Sequence, residues 1–219
     1  MLNGRLLSLR PMESRDLEFM ADLANHPMVR GNVVGWEWPI SRDGQADWFQ
    51  AARRDPRTRR LTVTSLGSDE PIGLTGLWDV DWHNQSALTA VKLMPGFAPK
   101  GAGTDAIMLT MAWSFYDVGL RRLHSSILDF NKASIGAYVR RCGWRVEGLG
   151  REAVFRSGQW RDLMQVAALK SDFEQLPDAA EYVQRVCPVD VSDTAAVPRQ
   201  HRTDVAEPFP PAGISNGTQ

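Results

Sequence analysis

The ten residues Phe97-Ala98-Pro99-Lys100-Gly101-Ala102-Gly103-Thr104-Asp105-Ala106 form the stretch of this 219-residue chain best suited to chemistry. They follow an apolar extended run, Ala87 to Met94, and open a long apolar helix that continues to about Tyr116. A strand, a glycine-bearing turn and a helix start present bare backbone N–H groups and a positive dipole end, an arrangement that suits a phosphate. Gly101 and Gly103 let the backbone approach an anion with no side chain in the way. Neither the P-loop spacing nor the dinucleotide fingerprint is present. Taken alone, a Gly-x-Gly before a helix more often makes an ordinary tight turn.

Other residues offer acid–base chemistry. Trp36-Glu37-Trp38 sets a carboxylate between two indoles, and a desolvated carboxylate has a raised pKa that suits a general base. The same tryptophans serve equally well to cover a core. Asp79, Asp81 and His83 cluster near the end of an expected strand, and strict alternation puts both aspartates on one face. Trp36, Trp38, Trp78 and Trp82 suggest an aromatic-lined pocket for a small molecule or a peptide N-terminus. The basic run from Arg53 to Arg60 would meet an acidic peptide, a phosphorylated metabolite or RNA, although such runs are usually a solvated helix end. Cys142 and Cys187 match no metal spacing, so no metal is expected, and free thiols fit a reducing cytoplasm.

The elements that must position these groups are mixed α/β. Strands are expected at 5–10, 60–66, 72–81, 87–94, 122–129, 145–156 and 160–169, and helices at 14–25, 41–54 and from 102. Residues 26–41, rich in Gly, Pro and Trp, read as a loop. With 43% hydrophobic residues the chain can build a sizeable single core without staples. A net charge of −1 argues against nucleic acid or an anionic membrane as the main partner, and no apolar run is long enough to span a bilayer. Six prolines punctuate the polar sequence after Leu176, which gives a division into a domain at 1–175 and a flexible Pro-rich extension at 176–219.

The order of motifs resembles the GNAT acetyltransferase superfamily. The anion loop and its helix are followed by a strand at 122–129, then Asn131-x-x-Ser134-Ile135…Tyr138, then Cys142-Gly143-Trp144. Leu7-Ser8-Leu9-Arg10-Pro11 with Arg15-Asp16-Leu17, and Glu147-Gly148…Arg151-Glu152…Gly158…Asp162, resemble the same family, most nearly its ribosomal-protein N-terminal acetyltransferase branch. The resemblance covers residues 5 to 172. It implies a mostly antiparallel sheet of six to seven strands with splayed central strands, flanked by helices, in a cytoplasmic monomer or homodimer. It implies acetyl-CoA as donor, with the pyrophosphate on Lys100, Gly101, Ala102, Gly103 and Thr104, and Asp105 opening the helix. Leu93 and Met94 would pair with the pantetheine arm and Asn131 would hold it from the other side. Tyr138 or Ser134 would be the acid and Glu37 the base, with Trp36, Trp38, Asp79, Asp81 and His83 near the amine acceptor. That acceptor would be a small metabolite, an antibiotic or a protein N-terminus. A longer acyl-CoA or aminoacyl-tRNA donor, or a binding protein without turnover, are the alternatives. Two departures stand out: Ala98 and Pro99 replace residues common in the family's loop, and the span from Tyr138 to Gly143 is one residue longer than the family's.

Overall fold

The structure, a computed structural model, describes residues 1–188. A nine-stranded sheet runs in the order β1 (Leu2–Asn3), β2 (Leu7–Pro11), β3 (Arg59–Ser65), β4 (Pro71–Asp81), β5 (Ser86–Thr89), β7 (Arg122–Leu128), β9 (Gln159–Leu169), β8 (Arg145–Arg156), with β6 (Lys92–Leu93) paired to β4. Neighbours are antiparallel except β5 and β7. A parallel pair needs a crossover, and here it is α4 (Ala102–Ala112) continued by a π-helical stretch, Trp113–Asp117. The seven expected strands become nine because β1 was not expected and the run 87–94 is broken into β5 and β6.

That break makes the molecule's central feature. β5 and β7 pair only over Ser86↔Arg122, Ala87↔Leu123 and Leu88↔His124. Beyond this, β6 pairs with β4, whereas Ser125 to Leu128 pair with β9, so the two central strands part in a V. Threonine hydroxyls hold the break on its far side: Thr89 donates to the Gly76 carbonyl (2.7 Å) and Thr75 to the Ala90 carbonyl (3.0 Å). β6 lies so close on β4 that a Cβ on Gly73 would fall 2.3 Å from the Lys92 carbonyl oxygen.

Two apolar clusters cover the two faces. The larger gathers Leu7, Val63, Leu123 and Val166 around α4, whose residues are buried nearly all round, as an interior helix requires. The smaller joins Met20, Leu23, Val29, Leu74 and Met94 beneath α1 (Leu17–Asn25), α2 (Pro27–Asn32) and α3 (Arg42–Arg54). Helix α2 lies in the segment read as loop; Pro27 takes the first-turn position where its missing N–H costs nothing. Ser41 caps α3, accepting from the Gly44 N–H (3.0 Å). Short α5 (Lys132–Ile135) runs into a second π-helical stretch, Gly136–Arg141, and α6 (Lys170–Phe173) follows β9. Helix α7 (Ala179–Val186) packs on α4 with Tyr182 buried, so the packed chain continues past the division expected at residue 175. The rest of the expected extension, 189–219, lies outside the described residues. No described helix is long and apolar enough to cross a membrane.

Candidate active site

A cleft of about 600 Å³ opens where the central strands part. One wall is Leu88 to Leu93, the other Ser125 to Ile127, and α5 with the π-helical turn behind it supplies Asn131, Ser134 and Tyr138. The Met94 N–H is bonded to the Ile72 carbonyl (2.9 Å), so Met94 has no amide to offer a ligand, against expectation. Alternation along that ladder turns the N–H and C=O of Leu93 into the gap instead. The Val91 N–H also points there and donates to the Tyr138 hydroxyl oxygen (3.0 Å). Burial raises the Tyr138 pKa above that of an ordinary phenol, more than the Val91 bond lowers it. Its proton is therefore retained, and because the oxygen is already an acceptor the O–H is left to donate into the gap.

The π-helical turn explains the long spacing after Tyr138. The Cys142 N–H reaches back five residues to the Ala137 carbonyl (3.0 Å), which absorbs one extra residue and keeps Tyr138 on the cleft wall. Trp144 then meets the Tyr138 ring edge-on at 4.9 Å.

At the other end of the gap, Gly101 precedes α4 with φ +95°, the left-handed region that favours glycine. The Ala102 N–H is spent on the Pro99 carbonyl (3.1 Å), whereas those of Gly103 and Thr104 take no acceptor among the described residues. The Thr104 hydroxyl is buried and without a partner among the described residues, and Gly103 lines the cleft. Two free amides and an orphan hydroxyl at a helix start fit the pyrophosphate of acetyl-CoA. Lys100 is exposed beside them and Ala102 is buried. Asp105 is elsewhere employed: its carboxylate accepts from the N–H groups of Arg5 (3.0 Å), Leu6 (2.8 Å) and Leu7 (3.2 Å) and from the Tyr182 hydroxyl (2.5 Å). It is a structural clamp, not a ligand-facing group. Asn131 caps α5, accepting from the Ser134 N–H (3.1 Å), and still lines the cleft with Ser134.

On the face of α1–α3, Trp36 lines the cleft while Trp38 turns out, 84% exposed. Glu37 does not have the environment of a raised-pKa base. Burial pushes its pKa up, but the ion pair with Arg156 (2.8 Å) and the Gly35 N–H outweigh that and leave it lowered. Asp79 has φ +48° at a register shift, which breaks the alternation expected for the two aspartates. It faces Arg57 (3.7 Å), Asp81 holds the Asn84 turn, and His83 is exposed. None of Asp79, Asp81 or His83 lines the cleft. Two residues that do are Lys92, which was missed, and Arg60, which was read only as part of the basic run 53–60. Lys92 was signalled by a lysine inside an apolar strand; Arg60 was hidden in the run 53–60, whose Arg53, Arg54, Arg57 and Arg59 are indeed exposed.

These features are those of an acyl-CoA-dependent transferase, and the chain belongs to the acetyltransferase (GNAT) domain family, whose model matches residues 6–145. It is similar to the spermidine N(1)-acetyltransferase of Escherichia coli K12, 26% identical over 174 residues that make up 79% of this chain and 91% of that one. A crystal structure of the Vibrio cholerae spermidine N-acetyltransferase with CoA and spermine superposes with a TM-score of 0.70 at 26% identity, covering 76% of this chain and 96% of that one. A dodecameric form of the Vibrio enzyme gives 0.67 at 25% identity, over 77% and 96%. The chain is an acetyl-CoA-dependent N-acetyltransferase. These relatives support the superfamily; they are polyamine enzymes and do not lead to the ribosomal-protein branch.

Proposed function

We propose that the protein acetylates a primary amine of a small molecule by direct attack within a ternary complex. The observation that carries this is the Tyr138 hydroxyl, held by the Val91 N–H in a strand gap with a bare helix start at one end and an aromatic pocket at the other. On this reading Gly101, Gly103 and Thr104 hold the pyrophosphate, Leu93 pairs with the pantetheine amides as an added strand would, and Asn131 borders the arm. The neutral amine attacks the thioester carbonyl, and amides at the strand break stabilise the oxyanion. As the C–S bond breaks, Tyr138 donates its proton to the departing sulfur. No Asp, Glu or His of the described residues lines the cleft, and on this reading cleft water takes the proton lost by the amine. Ser134, whose N–H is tied to the Asn131 cap, serves the helix start.

Tyr138→Phe tests the assignment. The expected result is a fall in kcat of about 10²-fold or more with acetyl-CoA affinity unchanged. An unchanged kcat would remove Tyr138 as the acid.

A further inference from the structure

The acceptor end of the cleft has an unusual charge. Among the described residues its lining includes no carboxylate and two cations, Arg60 and Lys92. Both are wrapped in indole. The Lys92 ammonium lies 4.9 Å from the Trp36 ring centre and 4.5 Å from that of Trp78, and the Arg60 guanidinium 5.1 Å from Trp78 and 4.1 Å from Trp48. Arg60 Nε is buried without a hydrogen-bond partner among the described residues. Neither cation is in an ion pair among the described residues: Asp55 and Asp79 act on Arg60 only from a distance, and the charged group felt by Lys92 is Arg60 itself. Two like charges held this way destabilise the empty site unless an anion joins them.

The coenzyme's own phosphates are not that anion. Lys92 stands opposite Leu74 in the β4–β6 register, on the face of α1–α3. Its neighbour Leu93 points the other way, 3.9 Å from where a Cβ on Gly103 would sit. Successive strand residues face opposite sides of a sheet, so Lys92 and the anion loop lie on opposite faces.

We infer that the acceptor amine also carries an oxyanion, a carboxylate or a phosphate, that docks on Lys92 and Arg60, and that polyamines are poor acceptors. This rests on the acetyltransferase reading above. The indole rings leave room for an apolar body between the oxyanion and the amine. They do not offer a cation slot, because the ring faces that would take an ammonium already hold Lys92 and Arg60. A spermidine in this cleft would meet like charge and no carboxylate, a penalty that works against the wrong partner.

The test measures CoA thiol release from acetyl-CoA with paired acceptors, each kcat/KM referred to the acceptor's neutral-amine fraction: tryptophan and phenylalanine against their carboxamides, O-phosphoethanolamine against ethanolamine, and spermidine. The expected result is a kcat/KM about tenfold or more higher for the anionic member of at least one pair, with spermidine below it. The carboxylate and phosphate pairs separate the two sources of the oxyanion. Lys92→Gln and Arg60→Gln should each erase most of that preference while acetyl-CoA affinity, titrated separately, stays within about twofold. Intact acetyl-CoA binding with the anionic member no better than its neutral mate in either pair, or with spermidine preferred, would overturn the oxyanion assignment alone. Absent acetyl-CoA binding would overturn the transferase reading beneath it. The wild-type comparison decides the matter even if a variant fails to fold.

Discussion

Lys92 shows at the scale of one residue how function opposes stability in this cleft. Burial between two indoles, reinforced by Arg60, lowers its pKa from 10.5 to about 7. The folded pKa lies below the unfolded one, so the unfolded chain binds the extra proton between those values and stability rises with pH through that window. The burden is therefore greatest below pH 7. Lys92→Met should raise Tm at pH 6, by on the order of 1–2 kcal/mol of stability, and leave it nearly unchanged near pH 10.5. Thermal melts at the two pH values check this, and a variant less stable at pH 6 would mean the ammonium is a net stabiliser. Local geometry was legible in the sequence where it depends on backbone: Gly101 takes the left-handed φ before α4 and Gly103 lines the cleft. Site chemistry was illegible where a distant partner decides: nothing beside Glu37 announces Arg156, 119 residues away, and nothing beside Asp105 announces Tyr182, 77 residues away.

Among the elements, the segment 33–37 is strapped to the end of β8. Arg156 donates to the Val33 carbonyl (3.0 Å) and to Glu37 (2.8 Å), and so fixes the stretch that carries Trp36. Arg156→Ala should raise the acceptor KM several-fold while acetyl-CoA affinity is unchanged, because the strap touches only the acceptor side. A loss of acetyl-CoA affinity equal to that of the acceptor would contradict this division. Periodicity located the strands and helices closely, since one face of each is apolar. It could not show that 87–94 breaks after Thr89. Across that break Thr89 bonds a carbonyl of β4, and Thr75 of β4 bonds the Ala90 carbonyl within the break, contacts that only the tertiary structure makes. The one-residue excess after Tyr138 was visible, and its meaning, a π-helical turn, was not.

For the molecule as a whole, Asp105 ties three parts of the chain together. It gathers the amides of residues 5–7, sits so close to Gly4 that a Cβ there would fall 2.5 Å from its oxygen, and receives the Tyr182 hydroxyl from α7. Arg5 pairs in turn with Asp178 (2.9 Å) and with Glu181, and Arg185 donates to the Gly4 carbonyl (2.9 Å). Ending the chain after residue 175 would remove α7 and leave the Asp105 carboxylate one partner short over an uncovered α4. Such a truncation, and separately Asp105→Asn, should each cost about 2–4 kcal/mol in denaturant unfolding. A truncated chain as stable as the full one would show that α7 is dispensable.

The proposed placement of acetyl-CoA in the strand gap, with its pyrophosphate on the start of α4, underlies every other assignment in the cleft. Calorimetric titration of acetyl-CoA into wild type and Gly101→Val, with free adenosine nucleotides as controls, tests it most directly. Binding should require the pantetheine arm and fall about tenfold or more in Gly101→Val, where φ +95° strains any side chain. Equal affinity in both proteins, or no binding of acetyl-CoA to wild type, would contradict it.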